Sequence, residues 1–259
     1  MIAYISTVFF LLLGLLIGSF LNVVAIRVLK GESIAFPPSH CAKCNHALKP
    51  LDLVPVLSYV FLRGRCRYCK ERISSRYPAG ELAAGALFSL AYAVVGWQPE
   101  LLVALWLTSI FIVITQTDLQ SMRIPNAIVA VGLIGAVALR LWTHPLPLWN
   151  YAVALFVGSG ILFLIGFVAG AILKREAMGG GDVKLYVFIG LMLGIKLTLL
   201  SVFAASVLGL VYSWGSRIAG NKEKYAVIPF GPFIALGALI VYYWGDQAID
   251  WYLDLFLTK

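Results

Sequence analysis

Charged side chains are scarce in this chain. They form 12% of its 259 residues, against 61% hydrophobic ones. An ordinary soluble domain carries about 25% charge, so this composition excludes one and points to a protein that lives in lipid. No internal repeat and no low-complexity run is present. No small-residue cleavage site follows a short first apolar core, so that segment reads as a retained helix and not as a removed signal peptide. No glycine-rich loop lies between a strand and a helix, so no nucleotide-type ligand acquires residues this way.

The abundant apolar residues fall into runs at Ile2–Val28, Leu82–Trp97, Leu101–Thr117, Ile124–Trp142, Trp149–Leu173, Leu185–Ile195, Leu197–Trp214 and Val227–Trp244. A helix needs roughly 20 residues to cross about 30 Å of hydrocarbon. Leu185–Ile195 is short for that, and reads either as a span or as a half-helix shielded by its neighbours. The expected fold class is an all-α polytopic membrane protein with about eight transmembrane helices. Ten of the 20 basic residues lie from the end of the first run to the start of the second: Arg27, Lys30, Lys43, Lys49, Arg63, Arg65, Arg67, Lys70, Arg72 and Arg76. The positive-inside rule assigns that segment to the cytoplasm. Alternate threading adds Arg123, Lys174, Arg175, Lys184, Arg217, Lys222 and Lys224 to the same side, leaving Arg140, Lys196 and Lys259 outside. Both termini then lie outside, with Asp246, Asp250 and Asp254 in the tail. Trp97, Trp142, Trp149, Trp244 and Trp251 fall near the outer interface, where indoles are favoured. The net charge of +8 is thus a topological signal facing anionic lipid, and calls for no nucleic acid.

Gly31 to Pro78 departs from this pattern. It is polar, basic, punctuated by proline, and holds all four cysteines. Such a segment is too long for an ordinary connection and too short for its own core, so something else must hold it together. Cys41-Ala42-Lys43-Cys44 and Cys66-Arg67-Tyr68-Cys69 are two C-x-x-C knuckles 21 residues apart, a pattern that completes a tetrahedron around structural Zn²⁺. Lys43, Arg65, Arg67 and Lys70 favour the thiolates. A pair of disulfides is the alternative, disfavoured in a reducing compartment. His40 and His46 flank the first knuckle as substitute ligands or as solvated loop residues. Zinc binding would supply the folding free energy that the insertion lacks.

Acidic residues beside the spans are few enough to be informative: Glu81, Asp118 and Asp182. Carboxylates at membrane depth are functional suspects. Asp118 closes the third span and Asp182 opens the sixth, so alternate threading brings both to one membrane face. Two such carboxyls at close range cannot both ionise comfortably; sharing one proton, they can activate water and protonate a leaving amine, as in aspartic proteolysis. Gly179, Gly180 and Gly181 before Asp182 permit positive φ and let a substrate strand approach the main chain. The structural alternatives are a helix-ending Asp118 paired with Arg123, and Asp182 as an N-cap on a helix dipole. Glu81 reads as a first-turn acid on its helix, and Lys184 as an interfacial base or a group that steers substrate.

The motifs together resemble the type IV prepilin peptidase family, also called prepilin leader peptidase/N-methyltransferase, over nearly the whole chain. They are Gly18-Ser19-Phe20-Leu21-Asn22, Pro37-Pro38-Ser39-His40-Cys41, Arg63-Gly64-Arg65-Cys66, Ser74-Ser75-Arg76-Tyr77-Pro78, Thr117-Asp118-Leu119 with Ile124-Pro125, Gly179 to Leu185, and Ile228-Pro229-Phe230-Gly231-Pro232. The resemblance implies a GxGD-type intramembrane aspartic endopeptidase of the bacterial inner membrane. Gly179, Gly181 and Asp182 fill the motif, and Asp118 is the partner aspartate. It implies removal of the leader from prepilins and pseudopilins, after a glycine at the cytoplasmic end of the substrate's hydrophobic segment. It also implies N-methylation of the new terminus with S-adenosylmethionine, because members that methylate generally keep the four cysteines. No residue is assigned to the methyl donor, and no oligomeric state follows. The chain departs from the family pattern at Ala42, where proline is frequent, and at Asn126, where aspartate is frequent.

The expected organisation is a first transmembrane helix over 1–30, a cytoplasmic four-cysteine domain over 31–78, and a catalytic helix bundle over 79–259. A transporter reading would make Asp118 and Asp182 a cation or proton site, but both fall at one membrane edge and no inverted repeat is visible. A scaffold reading, in which the zinc module binds a partner, leaves the aspartates and glycines without a role.

Overall fold

The computed structural model describes residues 2–174, 178–219 and 228–257. Arg175, Lys222, Lys224 and Lys259 of the charge bias lie outside the described residues, as do Ala226 and Val227, the first residue of the last apolar run. The elements are α1 (Ile2–Lys30), a 3₁₀ turn (Pro50–Asp52), α2 (Leu57–Phe61), α3 (Arg76–Val95), α4 (Glu100–Ser121), α5 (Asn126–Trp142), α6 (Leu148–Leu173), α7 (Gly180–Ile218) and α8 (Gly231–Leu257). Among the described residues there is no strand, only isolated bridges at His40–Ala47 and Arg65–Arg72. Helices α1, α3, α4, α6 and α7 are long and apolar enough to cross a membrane, and α5 is a shorter apolar helix. The chain divides into two compact units, Met1–Thr117 and Asp118–Lys259.

In the first unit α1 and α3 meet through small residues. A Cβ on Gly14 would lie 2.6 Å from the Ala84 carbonyl oxygen, and one on Gly18 would lie 2.6 Å from the Ala84 Cβ. Close backbone approach of this kind replaces the hydrophobic effect that lipid cannot supply. Polar groups in the seam are satisfied internally: Asn22 donates to the Tyr77 carbonyl (2.9 Å) and accepts from Gln116 (2.7 Å). A Cβ on Gly80 would collide with the Asn22 amide. Glu81 is not in the first turn of its helix. It is the sixth residue of α3, buried, and accepts the Val56 N–H at 2.7 Å, so it tethers the loop to the helix.

In the second unit the long helix α7 is interrupted at Gly194, where φ is +76° and ψ is 173°. Glycine suits this left-handed position, which an L side chain rarely adopts. The chain doubles back there. A Cβ on Gly158 of α6 would touch both Tyr186, 3.3 Å away in the first arm, and Thr198, 2.6 Å away in the second. In a straight helix those two residues would be about 18 Å apart along the axis. The apolar runs Leu185–Ile195 and Leu197–Trp214 are therefore the two arms of a helical hairpin. The first arm, Gly180 to Leu193, is about 21 Å long by its rise, short of the hydrocarbon thickness. Leu185, Tyr186, Phe188, Ile189 and Met192 on it are fully buried, as a shielded half-helix requires.

A reversal of the helix strands backbone groups that need partners. Arg140, buried near the end of α5, donates through Nε to the Met192 carbonyl at 3.0 Å, and Nη2 reaches the same oxygen. Its guanidinium also lies 4.9 Å from the Tyr151 ring centroid. Asn150 accepts the freed Ile195 N–H at 2.9 Å. Arg140, which the sequence assigns to the outer interface with Lys196, is thus a structural strut. Losing a hydrogen bond to a charged group costs about 1.5–3 kcal/mol. Arg140→Met should therefore lower the thermal midpoint in detergent by several degrees, with Arg140→Lys intermediate, as followed by intrinsic fluorescence.

Candidate active site and metal centre

Asp118 lies in the last turn of α4, which ends where Met122 turns left-handed at φ +52°. Its side chain is buried, and Oδ2 accepts the Gly231 N–H at 2.8 Å. Gly231 is the first residue of α8 and Pro232 the second, a position where the missing proline N–H costs nothing. The N-terminus of a helix, with its unpaired N–H groups, is a natural seat for a carboxylate. No other residue fits at 231: a Cβ there would stand 2.8 Å from Asp118 Oδ2 and 3.1 Å from its Cγ. Gly231 is the residue of this site that sequence reasoning left without a role, although Pro229-Phe230-Gly231-Pro232 was visible as a motif.

Asp182 is the third residue of α7, not its N-cap; Gly179 is the N-cap and has ordinary extended angles, φ −70° and ψ 135°. No side chain of the described residues caps this end. Among the described residues the Asp182 carboxylate accepts no hydrogen bond, so capping does not occupy it. Asp182 and Asp118 lie within electrostatic range of each other. The glycines act through space and not through positive φ, since Gly31, Gly64, Gly96 and Gly194 are the glycines with positive φ among the described residues. A Cβ on Gly179 would lie 3.5 Å from Asp182 Oδ2; one on Gly181 would meet Ile124 Cβ at 3.1 Å; one on Gly180 would meet nothing within 4 Å among the described residues. Gly181 thus lets α7 pack on the Ile124-Pro125 turn, and Gly180 leaves open space beside Asp182. Lys184 donates to the Asn126 side chain at 3.0 Å, joining the N-terminal ends of α7 and α5.

The four cysteines are free thiols whose sulfurs all lie within 4.8 Å of one another. Cys41 and Cys69 Sγ are 3.7 Å apart, far beyond a disulfide bond and close to the edge of about 3.8 Å expected for a tetrahedron with 2.3 Å metal–sulfur bonds. The two knuckles repeat one geometry. Cys41 N–H donates to His46 O (3.0 Å) and Asn45 N–H to Cys41 O (2.9 Å); Cys66 N–H donates to Glu71 O (2.8 Å) and Lys70 N–H to Cys66 O (3.1 Å). Asn45 and Lys70, each just after a knuckle, are both left-handed. Backbone N–H groups of Cys44 and then Lys43 bring the Cys41 thiol down to about 6. The Glu71 N–H pulls Cys69 the same way, but desolvation and the neighbouring thiols push it up to about 12. This donor set fits a thiolate-binding cation, which would take the place of the shared protons. The histidines are engaged elsewhere: His40 Nδ1 lies 3.1 Å from the Pro38 carbonyl, and the His46 ring lies tilted against Tyr68 with centroids 3.6 Å apart. Asp52 fastens the 3₁₀ turn to the second knuckle. Burial opposes its charge, yet Arg67 at 2.5 Å, the Lys49 N–H at 3.1 Å and the Tyr68 hydroxyl at 3.4 Å hold its carboxyl below the usual range.

Residues 12–95 match the family model of the bacterial peptidase A24 N-terminal domain, and residues 101–214 match the type IV leader peptidase family. A prepilin leader peptidase/N-methyltransferase of Bacillus subtilis is 36% identical over 244 residues, covering 94% of this chain and 96% of that protein. One from Aeromonas salmonicida is 32% identical over 282 residues, covering 98% and 95%. A type 4 prepilin-like proteins leader peptide-processing enzyme of Escherichia coli is 32% identical over 255 residues, covering 89% and 91%. No solved structure matches the chain.

Space decides the outcome of substitutions at the two glycines. Gly231→Ala forces the start of α8 away from Asp118, which should cost about 1–3 kcal/mol, as overpacking does. Gly180→Ala enters open space and should leave the thermal midpoint unchanged.

Proposed function

We propose, since the chain belongs to the type IV leader peptidase family, that it is an aspartic endopeptidase that removes the leader from type IV prepilins and pseudopilins, with Asp118 and Asp182 as its catalytic pair. The observation that carries this assignment is the buried Asp118 carboxylate, oriented by the Gly231 amide and within electrostatic range of an Asp182 that takes no part in capping. One carboxylate of the pair takes a proton from water as the oxygen attacks the scissile carbonyl carbon. The partner carboxylic acid protonates the carbonyl oxygen. Collapse of the tetrahedral adduct breaks the C–N bond, and the leaving amine receives a proton from the pair. The Gly231 N–H occupies Asp118 Oδ2, leaving Oδ1 for proton transfer. Gly179, the N-cap, with Gly180 and Gly181, the first two residues of α7, takes the place of the catalytic loop expected from the sequence, with the open space over Gly180 as the approach for the substrate backbone.

As a multi-pass protein of the cytoplasmic membrane, the enzyme works with its cysteine segment and both aspartates at the cytoplasmic face, and its termini outside; the distribution of basic residues supports this sidedness. A prepilin cut at the inner end of its hydrophobic segment needs a catalytic pair at that depth. The organisation that suits this is a first helix over 1–30, a four-cysteine domain over 31–78 and a catalytic bundle over 79–259. Cys41, Cys44, Cys66 and Cys69 would hold a structural Zn²⁺, whose binding supplies on the order of 10 kcal/mol of apparent folding free energy at neutral pH. Methylation of the new terminus with S-adenosylmethionine rests on the names its relatives carry. A cavity of about 280 Å³ lined by Ser19, Phe20, Val23, Arg27, Ser39 and neighbours offers no carboxylate to meet a ribose or a sulfonium, so no methyl-donor residue follows from it.

With a prepilin-like substrate and labelled S-adenosylmethionine in detergent, the wild type should release the leader and label the product. Asp118→Asn and Asp182→Asn should each slow leader release on the order of 10²–10⁴-fold without unfolding the protein. Normal cleavage by either variant would discard the pair. Metal analysis of reduced protein should find about one zinc, and Cys44→Ser should lose it while exposing the 31–75 segment to proteolysis.

A further inference from the structure

We infer that Leu51 to Phe61, within the cysteine-bearing insertion, is a lipid-contacting wedge whose apolar face enters the interfacial layer of the membrane beside α1 and α3. Leu57, Val60 and Phe61 stand at i, i+3 and i+4 of the short helix α2, hence on one face. They are 55%, 62% and 81% exposed within the protein. The 3₁₀ turn packs against α2 and adds Leu51, 74% exposed. The opposite side of α2 is occupied, because a Cβ on Gly64 would lie 2.9 Å from the Tyr59 hydroxyl. The turn therefore has an inner face that holds the insertion together and an outer face that is apolar and bare.

The tether to α3 says what covers that face. Both ends of the insertion continue into membrane-length helices, α1 before it and α3 after it. The Val56 N–H, one residue before α2, donates to the buried Glu81 carboxylate. Glu81 is five residues into α3, about 8 Å along the axis from its start. The loop backbone thus descends alongside a membrane helix, below the level at which that helix begins, and presents the apolar face there. Charge complements this placement. Residues 31–78 carry eight basic and three acidic side chains. Exposed Arg63 and Arg65 stand two and four residues after Phe61, at the position from which long basic side chains reach lipid phosphates. An apolar face rimmed by arginine at the end of a membrane span fits an anionic lipid surface.

The full-length protein with Phe61→p-benzoylphenylalanine, reconstituted in phosphatidylethanolamine/phosphatidylglycerol vesicles and irradiated, tests this by mass spectrometry. The control carries the same photoreactive residue at Ala47, exposed on the first knuckle. Lipid adducts at position 61 should exceed those at 47 by at least five-fold, with the thermal midpoint of the wild type retained in both. Equal adduct yields at the two positions would overturn the wedge. So would cross-links at position 61 that go only to added prepilin or to a second copy of the chain, which would assign the face to a protein partner. Neither readout depends on peptidase activity, so failure here leaves the catalytic assignment standing.

Discussion

Inside a bilayer no water is available to satisfy a broken helix, so every reversal must bring its own hydrogen-bond partners. The turn at Gly194 meets that requirement with two side chains. Arg140 takes the Met192 carbonyl and Asn150 takes the Ile195 N–H. With those groups satisfied, α7 can fold into a hairpin whose first arm is buried among its neighbours and carries Asp182 near its N-terminus. The opposite end of that arm is set by space, where Gly181 allows close packing on Ile124.

The candidate catalytic groups follow from how helices end. Asp118 sits in a final turn, Asp182 in a first turn, and Gly231 opens a third helix whose amide reaches Asp118. Helix termini are where unpaired N–H groups and changes of direction coincide, so they can hold a carboxylate without solvating it in water. Glycine recurs at these ends for steric reasons. At 231 a side chain would occupy the place of the carboxylate, and at 180 a side chain would meet nothing within 4 Å among the described residues.

The cysteine-bearing insertion solves a different problem. It cannot bury enough apolar surface to fold by itself. It is held by a thiol cluster of metal-binding dimensions, by Asp52 bridging to Arg67, and by the Val56–Glu81 tether. Leaving Leu57, Val60 and Phe61 outward is then consistent with a domain that uses the membrane as part of its surroundings.

Much of this was legible in the chain. Composition and apolar runs dictated a helical membrane protein, because burial of backbone polar groups in lipid admits few alternatives. The C-x-x-C spacing identified the thiol cluster, because two knuckles can meet only as a tetrahedron or as disulfides. The scarcity of acids singled out Asp118 and Asp182. Tertiary structure alone decided the rest. Glu81 became a loop tether and not a dipole ligand, the Gly179–Gly181 run supplied space and not positive φ, Arg140 turned inward to a carbonyl, and Gly231 proved to be the donor to Asp118. Each of these depends on which backbone group lies opposite a side chain across a helix contact, and periodicity along one strand of sequence carries no information about that.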